Sequence, residues 1–96
     1  MTDQPSQPYR STPLFTQDNL PQALQREHRT KIGVWGLLCV TEGSIRFVHE
    51  DGRPPCIVTP QAPCLIEPDS PHHVELMGPV SLRVDFYDHQ PVGRLP

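Results

Sequence analysis

The sequence predicts an all-β domain, a small antiparallel barrel or double-sheet sandwich, and three observations lead there. Thirteen prolines and six glycines in 96 residues exceed what a helical protein tolerates, because proline breaks helix interiors and glycine weakens them. The runs GVWGLLCV, SIRFV, CIVT and SLRVDFY are short, apolar or alternating, and rich in β-branched and aromatic side chains, as strands are. Turn signals separate the runs at regular intervals and leave no room for the helical crossovers of a parallel sheet. A chain of this length makes one domain with one modest core.

Taken in order, residues 1–11 are polar and proline-bearing and read as a flexible N-terminal segment. Leu14 and Phe15 form a short extended piece, and a short helix follows. Asp18 or Asn19 can cap that helix, Pro21 falls in its first turn, and Leu20, Ala23 and Leu24 supply an apolar face. From Gly33 the chain reads as strands. GVWGLLCVTEG ends at the turn signal Glu42-Gly43, and SIRFVHE returns with Ile45 and Phe47 on one face. EDGRPP is a hairpin-type turn. CIVT and CLIE flank PQAP, then HHVELM reaches a turn at Gly78-Pro79. In the last strand Leu82, Val84 and Phe86 alternate with Arg83, Asp85 and Tyr87. The domain is expected over residues 12–89, with 90–96 as a tail.

The formal net charge is −3 and the basic residues are scattered, so neither a nucleic-acid footprint nor a membrane-binding patch is expected. No apolar run approaches the twenty or so residues of a membrane span, and no basic-then-apolar leader is evident. Cys39, Cys56 and Cys64 form an odd set without CxxC spacing, which fits a reduced, cytoplasmic protein. Cys56, Cys64 and His72 recur at intervals of eight, a spacing that matches no zinc framework.

Candidate chemistry centres on IEPDSPHHVEL. Neighbours on a strand face opposite ways, so His72 shares a face with Val74 and Leu76, and His73 shares the other with Glu75 and Met77. His72 is therefore the inward histidine. A metal site needs about three protein ligands and an open position. His28 and His72 would supply two, and Glu75, Glu67, Glu27 or Asp85 the third. Of these, Glu75 lies on the wrong face unless a bulge re-aims it. Imidazole with carboxylate suits one divalent transition metal, Zn, Ni, Fe or Mn. Lys31 near a pocket mouth would hold an anion as a point charge. Trp35 and Phe86 read as core aromatics that could also stack on a ligand, and Asp85 completes the candidate ligand-binding residues. GxSxG, HExxH and glycine-rich phosphate loops are absent.

The stretches DNLPQALQREHRTKIGVWGLLCVTEGSIRF and IEPDSPHHVELMGPVSLRVDFYD resemble the family of TehB N-terminal domains and stand-alone YeaR-like proteins, cupin-like domains associated with tellurite resistance. His28, Thr30, Lys31, Gly33, Trp35 and Gly36 carry the first motif. Glu67, Pro68, His72, Val74 and Glu75 carry the second, and Phe86-Tyr87 closes the last strand. The resemblance implies a cupin-type (double-stranded β-helix or jelly-roll) barrel and selects His72 over His73. The usual first-motif ligand places fall on or near Ile32, Val34 and Gly36, which cannot bind, so the standard four-ligand cupin site is not expected. A metal would need a rearranged set of His28, His72 and a carboxylate, with Glu75 in the third place.

Three functions compete. The first is a binding module for a metal or small anion in the barrel pocket, associated through the resemblance with tellurite, other oxyanions or oxidative stress. The second is a metal-dependent cupin enzyme, oxygenase- or isomerase-like, on a small organic substrate. The third is a metal-free interaction domain that forms a homodimer to cover an edge strand. Without a glycine-rich nucleotide loop, methyltransferase activity is not expected.

Overall fold

Two long strands dominate the fold, in a computed structural model that describes residues 7–91. They are β3 (Trp35–His49) and β6 (His72–Tyr87), paired antiparallel from Trp35 opposite Tyr87 to His49 opposite His72. Four short strands line their outer edges: β1 (Arg10–Ser11) and β2 (Phe15–Thr16) pair with β6, and β4 (Cys56–Val58) and β5 (Cys64–Ile66) pair with β3. Every ladder is antiparallel, so the chain is all-β. The order β1-β6-β3-β4 leaves β1 and β4 at the ends. Among the described residues no ladder joins them, and the sheet is not closed.

Two expected turns prove to be bends within strands. Glu42-Gly43 does not end a strand, because β3 continues through it, and β6 likewise continues through Gly78-Pro79. Val40 faces Leu82 and Glu42 faces Ser81, which leaves Thr41 as an extra residue on β3. One extra residue flips the alternation that follows it. Even-numbered Leu38 and Val40 and odd-numbered Ile45 and Phe47 therefore enter the same core, with Val58, Ile66, Val74, Val80, Leu82 and Val84. Gly43 has φ +77, and a Cβ there would press into the Pro79 carbonyl oxygen. Only glycine meets both conditions. Pro79, lacking an N–H, falls in the interruption of the ladder between Val80 and Leu76.

The expected N-terminal helix is a single 3-10 turn over Gln22–Gln25, with Pro21 at its N-cap and no side-chain cap. Asn19 is occupied elsewhere, since its side-chain oxygen accepts the Thr16 backbone N–H at 2.6 Å. Leu20 and Leu24 nevertheless pack on the core as the apolar face requires, whereas Ala23 is exposed. Of the segment read as flexible, 1–6 lie outside the described residues, but Arg10 and Ser11 are paired to Phe86 and Asp85. In the C-terminal tail, 92–96 also lie outside them. No described helix is long and apolar enough to cross a membrane.

Candidate functional site

His28 joins β6 by a reciprocal pair of backbone hydrogen bonds with His72, at 2.7 and 2.8 Å. Their rings meet edge to face, with centroids 5.6 Å apart. His72 is 4 % exposed and packs on Phe47, which in turn meets His49. Burial holds the His72 pKa below its ordinary value, partly offset by a hydrogen bond to the Ser70 carbonyl. That carbonyl, 2.8 Å away, can only accept, so it fixes the proton of the neutral ring on Nδ1 and leaves Nε2 as an acceptor. The space beside this ring, between Leu38, Phe47, Val74 and Leu82, is about 20 Å³. It has room for roughly one water molecule and none for an organic substrate.

The four carboxylates considered as a third metal ligand each pair with an arginine instead. Glu75 meets Arg46 at 3.1 Å and His73 at 3.0 Å, on the opposite side of β6 from His72. Glu67 meets Arg53, Glu27 meets Arg29, and Asp85 meets Arg83. Among the described residues no group of three His, Cys, Asp or Glu side chains is gathered to hold an ion. Near His72 lie the imidazoles of His28 and, across Phe47, His49, but among the described residues they are not gathered into a three-ligand set.

Lys31 lines a groove of about 320 Å³ that reaches from His28 to Tyr9, Arg10, Arg29 and Phe86. Its loop is held by short-range chemistry. The Val34 N–H donates to the Lys31 carbonyl at 3.0 Å, with Gly33 at φ +84, as a type II turn requires. Thr30 Oγ1 donates to the Val34 carbonyl at 2.7 Å. Across the groove, the Arg10 guanidinium sits 5.2 Å from the centre of the Phe86 ring. Arg29 is paired with Asp69 and Glu27. Among the described residues, neither Arg10 nor Lys31 has a carboxylate partner. Trp35 and Asp85, expected beside Lys31, lie on the other face of the sheet. Trp35 packs there with Leu37, Cys39 and Tyr87, and Asp85 accepts from Ser11 and Arg83 beside Cys39. Sequence reasoning missed Arg10, Arg29 and Tyr9. Arg10 and Tyr9 reach the groove through pairing with the far end of the chain, and no local spacing announces that.

The family model for the TehB-like domain matches residues 10–84. The chain belongs to the TehB-like domain family. Within it, a curated relative in Haemophilus influenzae, the probable S-adenosyl-L-methionine-dependent methyltransferase TehB, is 49% identical over 39 residues. Those residues are 41% of this chain and 14% of that protein, and TehB of a second H. influenzae strain gives the same figures. The crystal structure of H. influenzae TehB superposes with a TM-score of 0.74 at 35% identity, covering 82% of this chain and 30% of TehB. A protein from Escherichia coli K12 superposes with a TM-score of 0.75 over 92% of this chain and 91% of its own, at 19% identity, and shares the fold. This TehB-like domain therefore spans a minor part of TehB, and His28, Lys31 and His72 all fall inside the family match.

Proposed function

We propose that this TehB-like domain is a non-catalytic binding module, an open cupin-type cup that holds a small anion in the groove between Lys31 and Arg10. The observation that supports it best is the pair of cations lining one groove without carboxylate partners among the described residues, next to Arg29 and His28. An anion there would meet two permanent positive charges, each worth about 1–4 kcal/mol at a separation of 4 Å in a partly solvated setting. Two of the three cysteines offer no ready nucleophile. Burial, reinforced by Asp85, raises the Cys39 thiol to about 11, and burial chiefly raises Cys64 to about 12. Both are therefore thiols rather than thiolate nucleophiles at neutral pH. The tellurite-resistance association makes an oxyanion the first ligand to try. Titration calorimetry with tellurite and with inorganic phosphate tests the reading. Binding should weaken at least fivefold in Lys31→Ala and again in Arg10→Ala. Absence of binding, or binding indifferent to both substitutions, would refute it.

A second reading keeps a divalent transition metal, held by His28 and His72 alone, and is favoured by the meeting of the two rings and the acceptor Nε2 of His72. Elemental analysis distinguishes it. Stoichiometric metal in the wild type that disappears in His72→Ala would support it, and metal retained in that variant would end it.

A further inference from the structure

We infer that the groove takes an organic anion with a flat apolar body, of the aryl phosphate or aryl carboxylate class, in preference to a bare inorganic oxyanion; this rests on the anion-binding reading above. At about 320 Å³ the groove reaches the size of pockets that hold organic ligands. Its walls are of two kinds. Lys31 and Arg10 supply charge, while Tyr9, Val34 and Phe86 supply apolar surface.

An inorganic ion bound to Lys31 would leave those apolar walls in water. An aryl ring attached to the same anionic group would cover them and gain the burial. The aromatic side is also partly prearranged. Arg10 already lies over the Phe86 ring, and a guanidinium held there is placed to meet a further flat group as well. Tyr9 is 58 % exposed, yet its backbone N–H donates to the Phe86 carbonyl at 2.9 Å. Its ring thus hangs from a fixed root beside the groove and can close over a ligand. The pocket beside His72 does not compete for such a ligand, because its 20 Å³ excludes a ring.

The test compares phenyl phosphate, inorganic phosphate and phenol by titration calorimetry at about pH 8, where both phosphates are dianions. Phenyl phosphate should bind at least tenfold more tightly than either of the others. Lys31→Ala should weaken both phosphates. Phe86→Leu should weaken phenyl phosphate more than inorganic phosphate, whose Arg10 contact also rests on this ring. Because Phe86 also touches the core, Tyr9→Ala at an exposed position provides the same comparison without risk to folding, with an expected loss of about threefold or more confined to phenyl phosphate. Equal affinity for the two phosphates, or an aryl preference indifferent to Tyr9→Ala and Phe86→Leu, would overturn the inference and leave the anion site standing. Failure of both phosphates to bind would overturn the inference and the anion site together.

Discussion

His72 and His73 are adjacent in sequence, yet strand alternation sends one ring into apolar packing and the other between two carboxylates. Burial lowers the pKa of His72, whereas hydrogen bonds to Glu75 and Glu50 raise that of His73. The linkage signs are opposite. With its folded pKa below the unfolded value of 6.5, His72 costs no stability above that pH and destabilises the fold as pH falls below it. His73 has a raised folded pKa, so its contribution is complete below 6.5 and is lost as pH rises through the folded value. Proton-carbon NMR titration should place the His73 midpoint above 6.5 and the His72 midpoint below; midpoints in the reverse order would contradict the assigned environments. His73→Gln should also remove the decline in stability above 6.5, read from urea midpoints. The inward placement of His72 was legible because Val74 shares its face. The fate of Glu75 was only half legible. Alternation put it on the far side, but its partner Arg46 arrives from β3, and no spacing within HHVEL discloses a cross-strand arginine.

At the scale of elements, the two long strands explain both what the pattern revealed and what it hid. Apolar runs identified the strand segments, and Glu-Gly and Gly-Pro marked the places where the backbone departs from regular extension. A glycine with positive φ serves a hairpin turn and a strand bend equally well, so the dipeptides alone could not show that the ladder continues past them. Gly43 tests this account. In Gly43→Ala the new methyl meets the Pro79 carbonyl at φ +77, and a loss of about 2 kcal/mol or more in chemical denaturation is expected. Gly52 has φ +91 with open space around it, so Gly52→Ala should cost only about 1 kcal/mol. Equal losses would mean that the close approach of β3 and β6 is not a constraint. Deletion of Thr41 is a sharper test, because without the extra residue Ile45 and Phe47 would face away from the core that holds Leu38 and Val40. Soluble, cooperatively folding protein from that deletion would contradict the bulge as the device that sets the register.

For the whole molecule, the prolines and the charge distribution acquire positions that composition could not give them. Pro13 separates β1 from β2, and Pro60 and Pro63 separate β4 from β5, so both sheet edges are short, interrupted strands and poor templates for another chain. The net charge of −3 would repel an anion at long range, whereas Arg10 and Lys31 attract it at contact. Screening separates the two terms. The Debye length shrinks from about 30 Å at 0.01 M salt to about 8 Å at 0.15 M, which weakens both the distant repulsion and the contact attraction on a seated anion. The cations a few ångströms away act on it more strongly, charge for charge, than the charges across the domain. Phosphate or aryl phosphate affinity should therefore fall severalfold across that range, and the fall should be shallower in Lys31→Ala, where one of the responsible charges is gone. Affinity that rises with salt would show that the overall negative field outweighs the groove, and would place any anion bound by this domain somewhere other than between Arg10 and Lys31.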